Sequence, residues 1–180
     1  MFDGHSLTGF VPTEFGGEGE VTVRDGALQL GIGSPLTGVT WTGTLPAEPY
    51  ELEVVATRVA GGDFFCGLTF PVGADHLTLV LGGWGGTVCG LSNLDGMDAA
   101  HNPTRTLRAF PTGQPVAVRV EVTADAVRAL VDGQCLCQTT RRGTTLGLRA
   151  EMLPSRPLGI ASFATAAAIG TLRWRPLTSP

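Results

Sequence analysis

Residues 116–122 read Val-Ala-Val-Arg-Val-Glu-Val, and this stretch decides the fold class. A valine stands at every second position, and alanine, arginine and glutamate stand between the valines. Successive side chains of a β-strand point to opposite faces of the sheet. The pattern therefore predicts a strand with one buried face and one face towards water.

Two Asp-Gly pairs, at residues 25–26 and 132–133, each separate two short segments of alternating polarity. A two-residue hairpin of type I′ needs a positive φ at both central positions, which aspartate and glycine tolerate. We therefore predict hairpins that join residues 21–24 to 27–30 and residues 127–131 to 134–139.

The same alternation recurs at residues 51–56, 77–81 and 170–175. No stretch of about 12 residues carries the i, i+3, i+4, i+7 apolar stripe of a helix. Roughly eleven to fourteen short strands with glycine turns predict an all-β fold, a two-sheet antiparallel β-sandwich of the jelly-roll type. We expect residues 1–180 to form a single domain, with a sugar or small-molecule site in a concave groove.

The composition narrows the class of partner. Charged residues make up only 16% of the chain, all 12 basic residues are arginine, and the net charge is −4. Because there is no basic patch, we expect no nucleic-acid partner. No apolar run reaches the ~20 residues that span a bilayer, and the first residues lack a signal-peptide pattern. We therefore expect a cytoplasmic protein with no membrane partner.

The four cysteines are Cys66, Cys89, Cys135 and Cys137, in a chain long enough to bury a core without disulfides. They form no Cys-x-x-Cys repeat and have no neighbouring histidine, so we predict free buried thiols and expect neither a metal nor a cofactor. Cys135 and Cys137 stand two positions apart on a predicted strand, and we expect both on the same face.

Four short segments, taken in order, resemble a known family. They are residues 2–10 (FDGHSLTGF), 50–53 (YELE), 157–161 (PLGIA) and 172–177 (LRWRPL). They are similar to the opening motif and to three strands of the bacterial 3-keto-disaccharide hydrolase domain family, and to its planctomycete-like branch in particular. The resemblance implies a concanavalin A-like jelly roll, the fold of many lectins and glucanases. It also implies activity on 3-keto-glycosides as a candidate function.

Two positions depart from the family pattern. Phe70 stands where many members carry an arginine, and residues 162–165 (SFAT) stand where many carry a histidine. These departures favour ligand binding over hydrolysis.

The densest glycine cluster surrounds Trp84, in the sequence Gly-Gly-Trp-Gly-Gly at residues 82–86. Glycines on both sides let the backbone bend sharply or approach a ligand closely. An exposed tryptophan here would stack on a sugar ring, whereas a buried one would pack against the core as most aromatic residues do. We predict that Trp84 binds substrate.

Four polar residues are crowded into the loop that follows: Asp95, Asp98, His101 and Asn102. They could direct oxygens and an imidazole towards sugar hydroxyls or a hard cation. Alternatively, they stabilise turns through their own backbone. We predict Asp98 and Asn102 as further substrate-binding residues.

Acid–base chemistry on a glycosidic bond needs two carboxylates about 5–10 Å apart. Asp63 follows two glycines and precedes two phenylalanines, so it is either a turn residue or a partly desolvated acid. Asp63, Asp95 and His101 are the catalytic candidates.

Three functions remain open. The first is a carbohydrate-binding jelly-roll domain that uses Trp84, and the second is a glycoside hydrolase or lyase that acts on 3-keto-glycosides. The third is a self-assembling or protein-interaction domain, because apolar surface patches often mark interfaces. The expected partner is a carbohydrate or small-molecule ligand, and a homo-oligomer or a larger multidomain protein would fit the third function.

Overall fold

The computed structural model describes residues 1–45 and 47–177, which form fourteen β-strands and one short 3₁₀ helix, Ala150–Ser155. The strands are β1 (Phe10–Pro12), β2 (Val21–Arg24), β3 (Ala27–Leu30), β4 (Leu36–Trp41), β5 (Tyr50–Gly61), β6 (Cys66–Val72), β7 (Asp75–Gly83), β8 (Val88–Ser92), β9 (Thr106–Leu107), β10 (Pro115–Val122), β11 (Ala126–Val131), β12 (Gln134–Thr140), β13 (Gly159–Phe163) and β14 (Thr165–Pro176). In this part of the chain no helix has the length and apolarity needed to cross a membrane.

The strands form two sheets of seven, and all neighbouring strands are antiparallel. The front sheet has the order β1-β4-β13-β6-β7-β8-β9, and the back sheet has the order β12-β11-β10-β5-β14-β3-β2. The predicted all-β, two-sheet antiparallel sandwich is therefore confirmed.

The core fills the space between the two sheets, and the back sheet follows the predicted alternation. Strand β5 directs Leu52 and Val54 inwards and Glu53 outwards. Beside it, β10 directs Val118 inwards, opposite Val54, and Arg119 outwards, opposite Glu53. Removal of these apolar side chains from water is favourable, and it holds this face of the back sheet against the front sheet.

The inner strands of the front sheet are buried on both faces, which the alternation did not predict. The leucines of β7 face the core, but Thr78 and Val80 on the opposite face are buried as well. The 3₁₀ helix contacts β4 and β13, where Leu36, Met152 and Ala161 form a second small apolar cluster. Other parts of the chain therefore cover much of the outer face of this sheet.

Both predicted hairpins are present. Asp25 and Gly26, with φ of +54° and +75°, join β2 to β3. Asp132 and Gly133, with φ of +51° and +77°, join β11 to β12. Positive φ at both central positions is the requirement of a type I′ turn.

A β-bulge in β12 overturns the prediction for two cysteines. Cys135 pairs with Leu130 and Cys137 pairs with Ala129, so Leu136 is an extra residue between two consecutive partners. The extra residue reverses the side-chain alternation, and Cys135 is exposed while Cys137 is buried. The two thiols therefore lie on opposite faces. All four cysteines are free and three are buried, but the prediction of a buried thiol is wrong for Cys135, which the bulge directs to the surface.

Candidate functional site

Trp84 lies in the turn that joins β7 to β8. Its φ is +48°, and the φ values of Gly82, Gly85 and Gly86 are +75°, +87° and +108°. Glycine adopts such angles without steric cost, so the three glycines allow a tight turn around one bulky residue. Trp84 is 42% exposed, and this exposure favours the surface role over packing in the core.

Asp63 lies in the loop between β5 and β6, beside the Trp84 turn. Its Oδ1 accepts a hydrogen bond of 2.8 Å from the Phe64 amide, and its Oδ2 accepts one of 3.2 Å from the Gly85 amide. The Asp63 amide donates to Thr165 Oγ1 at 3.0 Å. The Asp63 carboxylate therefore connects its own loop to the turn that carries Trp84.

Arg58 contacts both of these segments, and the sequence reasoning did not find it. The residue is 7% exposed. Its Nη2 donates to the carbonyl oxygens of Gly82, Gly86 and Asp63 at 3.2, 3.2 and 3.1 Å. Its Nη1 donates to the Phe110 carbonyl at 3.2 Å. One buried guanidinium thus holds several backbone carbonyls of the site.

The alternation of β5 contains the signal that could have revealed Arg58. The inward positions 52, 54 and 56 are apolar, and residue 58 has the same parity. A charged residue there must either end the buried face or satisfy its donors inside the protein. Burial lowers the pKa of Arg58 and the nearby Asp63 charge raises it, but arginine stays protonated at physiological pH.

A cleft borders Trp84 and Asp63 on the outer face of the front sheet. Its volume is about 170 Å³, smaller than the roughly 300–1,000 Å³ of pockets for drug-sized ligands. Half of its lining residues are apolar or aromatic, and the rest are polar or charged. They are Asp63, Phe64, Thr78, Val80, Trp84, Ser92, Arg149, Glu151, Met152 and Phe163.

Small side chains on two neighbouring strands leave room for this cleft. Thr78 of β7 lies opposite Ser92 of β8, and the Thr78 hydroxyl shares a 2.9 Å hydrogen bond with the Thr69 hydroxyl of β6. The rings of Phe64 and Phe163 lie side by side, with centroids 5.7 Å apart. The cleft therefore combines an aromatic surface with short hydroxyl side chains.

A second charged group lines the cleft at the 3₁₀ helix. Arg149 donates from Nε to the Glu151 carboxylate and from Nη1 to Asp98 Oδ2, the latter at 3.0 Å. Asp98 Oδ1 in turn lies 2.7 Å from His101 Nδ1. Asp98 therefore orients Arg149 without itself lining the cleft. His101 contacts Asp98 and is not a lining residue of the cleft, and its side chain is 71% exposed.

Asp95 and Asn102 form hydrogen bonds that stabilise the loop after β8. Asp95 Oδ1 accepts a hydrogen bond of 2.7 Å from the Thr145 amide. Asn102 is 5% exposed, its Nδ2 donates to three backbone carbonyls, and its Oδ1 accepts from the amide and hydroxyl of Thr104. The contacts of Asn102 with Met97, Asp98 and Thr104 correspond to the turn-stabilising alternative, whereas Asp95 joins the loop to a segment 50 positions away.

The structure thus brings two of the six predicted site residues, Asp63 and Trp84, into the cleft. The other four, Asp95, Asp98, His101 and Asn102, lie in the loop after β8, and their roles in catalysis or binding stay predictions. The sequence reasoning also missed Arg149 and Glu151. No local signal marks them, because Arg149 meets Asp98 across 51 positions of the chain.

Within residues 1–45 and 47–177, no group of three or more His, Cys, Asp or Glu side chains is placed to hold a metal ion.

Neither a protein-family model nor a curated protein sequence matches this chain at a significant level. Solved structures do match its fold. A structure described with the endo-acting O-glycanases of human gut microbiota has a TM-score of 0.63 at 15% identity, covering 98% of this chain and 97% of that one. The carbohydrate binding module CBM66 from Bacillus subtilis has a TM-score of 0.59 at 10% identity, covering 93% and 95%. SCLam, a non-specific endo-β-1,3(4)-glucanase from family GH16, has a TM-score of 0.55 at 13% identity, covering 87% and 74%.

These matches define the class of the fold. It is a concanavalin A-like jelly-roll β-sandwich, the architecture of the glycosidases and carbohydrate-binding modules just described. At 10–15% identity the likeness shows the fold alone. The resemblance to the 3-keto-disaccharide hydrolase family stays a hypothesis.

Proposed function

We propose that this domain binds carbohydrate in the cleft on the outer face of the front sheet, with one sugar ring stacked on Trp84. The observation that carries the proposal is an exposed tryptophan in the wall of an aromatic cleft. A sugar ring presents C–H bonds on its faces and hydroxyls at its edge. The indole offers a flat apolar surface to the faces and loses little conformational entropy on binding.

The polar groups of the cleft suit the hydroxyls of such a ring. The carboxylates of Asp63 and Glu151 are hydrogen-bond acceptors, and both line the cleft. A volume of about 170 Å³ favours a single ring, or the end of a longer glycan, over an extended chain lying inside the cleft.

The charges of the cleft favour an uncharged sugar. Arg149 is the cation in its lining, and its guanidinium already binds the carboxylates of Asp98 and Glu151. An acidic sugar would therefore meet two carboxylates and an arginine whose charge is largely compensated. Like charges at close range disfavour binding and set specificity against acidic glycans.

Hydrolysis of a 3-keto-glycoside is the second candidate, and the presence of two carboxylates, Asp63 and Glu151, in one cleft favours it. Water would add across the glycosidic bond, one group protonating the leaving oxygen and another taking the proton of the water. Binding is the preferred function because both carboxylates already accept hydrogen bonds. Asp63 accepts one from the Gly85 amide, and Glu151 accepts one from Arg149 Nε. Such contacts suit fixed acceptors better than proton donors.

The test is the variant Trp84→Ala on an array of neutral, amino and acidic glycans, followed by calorimetric titration. We expect wild-type protein to bind neutral glycans in preference to uronates, and Trp84→Ala to weaken binding at least about tenfold, or ~1.4 kcal/mol. Leu107→Ala is the control, because Leu107 is 60% exposed and is not a lining residue of the cleft. Unchanged affinity in Trp84→Ala would exclude the stacking role.

A turnover assay on the wild type and on two further variants, Asp63→Asn and His101→Ala, decides between binding and hydrolysis. Turnover of a 3-keto-glucoside that disappears in Asp63→Asn and in His101→Ala would support the catalytic candidates. Turnover that survives both substitutions would contradict their assignment.

A further inference from the structure

We propose that Arg58 is a positioning residue that sets Trp84 and Asp63 side by side before a ligand arrives. The proposal rests on the carbohydrate-binding function proposed above and adds the group that organises the site. Arg58 is not a lining residue of the cleft, so it acts through the backbone of the residues that line it.

The hydrogen bonds of Arg58 reach both ends of the Trp84 turn. Nη2 donates to Gly82 O and Gly86 O, each at 3.2 Å, so the same nitrogen connects the residues that enter and leave the turn. It also donates to Asp63 O at 3.1 Å. Nη2 has only two hydrogens, and three carbonyls share them. A single nitrogen therefore connects the Trp84 turn to the Asp63 loop, alongside the direct hydrogen bond from the Gly85 amide to the Asp63 carboxylate.

A neighbouring glycine makes room for this guanidinium. A Cβ at Gly82 would lie 2.4 Å from Arg58 Nη2, closer than real contacts allow, so only glycine fits beside the guanidinium there. Arginine is suited to the position because its planar fork presents several donors in fixed directions. Lysine would offer one flexible ammonium and could not hold the same carbonyls in the same geometry.

Two observations favour a role in the site over a role in stability alone. Trp84 has a φ of +48°, a strained angle for a bulky residue that persists only where its surroundings impose it. Among the described residues, the Arg58 guanidinium donates its hydrogen bonds to backbone carbonyls, and its Nε is buried without a hydrogen-bond partner. Three of these carbonyls belong to the Trp84 turn and the Asp63 loop, so the guanidinium organises the site.

The experiment compares Arg58→Met and Arg58→Lys with the wild type. Hydrogen exchange of the amides at residues 83–87 reports on the turn without a ligand, and titration with laminaribiose and cellobiose reports on binding. In Arg58→Met we expect at least tenfold faster exchange in the turn and at least tenfold weaker binding. We expect the midpoint of urea unfolding to fall as well, because four backbone carbonyls lose their hydrogen-bond donor. Arg58→Lys should be intermediate.

Arg141→Met is the matched control. Arg141 also joins separate segments, through the Glu48 carboxylate and the Thr123 carbonyl, but it is not a lining residue of the cleft. This variant should alter stability while leaving turn exchange and binding unchanged.

If the turn amides of both Arg58 variants exchange hydrogen at the same rate as in the wild type, the proposal is overturned, whether or not the variants bind sugar. If Arg58→Met does not fold, Arg58→Lys gives the same exchange comparison. Absence of sugar binding by the wild type would contradict the proposed function, and the turn exchange would still decide the role of Arg58.

Discussion

Trp84 has a backbone φ of +48°, in a region that bulky side chains adopt infrequently. Trp84 is the most exposed aromatic residue that lines the cleft. The glycines beside it adopt similar positive φ angles without strain. Strained residues of this kind cost about 1–3 kcal/mol and cluster at ligand sites. Trp84 therefore contributes its indole to the cleft at the expense of stability.

Two variants that both lose the indole should therefore differ in stability. Glycine relieves the positive φ, whereas alanine keeps it. We expect Trp84→Gly to be about 1 kcal/mol more stable than Trp84→Ala in urea unfolding. The control pair is Val59→Gly and Val59→Ala, at an exposed strand position, where glycine should be the less stable member. Equal stability of the two Trp84 variants would contradict the strain.

At the scale of the element, β12 shows how one extra residue changes the chemistry of a strand. The bulge at Leu136 directs Cys135 to the surface and Cys137 into the core. Burial raises the pKa of Cys66 to about 12 and that of Cys137 to about 12, and it also raises the pKa of Cys89. Because the thiolate is the reactive form, these three thiols are doubly protected, by burial and by protonation.

We expect an aromatic disulfide reagent at about pH 8 to modify one thiol per folded chain and four per unfolded chain. Raised pKa values keep the buried thiols protonated well above this pH, so their reaction must await unfolding. Cys135→Ser should abolish the reaction of the folded protein. Rapid modification of a second thiol under native conditions would show that the bulge does not separate Cys135 from Cys137.

At the scale of the whole molecule, the two sheets share one core. Leu52 and Val54 of the back sheet belong to the same buried cluster as Leu79 and Ile160 of the front sheet. The central strand β5 pairs with β10 and with β14, which are distant from it in the sequence. Neither sheet can therefore keep its buried face covered when the other one unfolds.

Because the two sheets share one core, we expect the domain to unfold in a single cooperative transition. Far-UV circular dichroism, which reports on the strands, and tryptophan fluorescence should give coincident urea curves. The predicted single domain over residues 1–180 depends on this result. Two separated transitions would contradict it and would indicate sheets that are stable independently.

Much of the fold could be predicted because the signals are local. Valines at alternate positions in residues 116–122 predict a half-buried strand, and two Asp-Gly pairs predict the hairpins that the structure contains. The alternation failed at Thr78 and Val80, because the segments that cover them are distant in the sequence. It failed at Cys135 because a bulge depends on the partner strand as much as on its own residues.

The candidate site was predictable only in part, and for the same reason. Local patterns specify the strands, the hairpins and the glycine-flanked Trp84, since the alternation of side chains and the φ preference of glycine act between neighbouring residues. Folding of distant segments onto one another brings Asp63 to the Trp84 turn, places Arg58 against both, and adds Arg149 and Glu151 to the cleft. These contacts join residues on different strands and loops, and the packing of the two sheets, which no local pattern encodes, sets their distances.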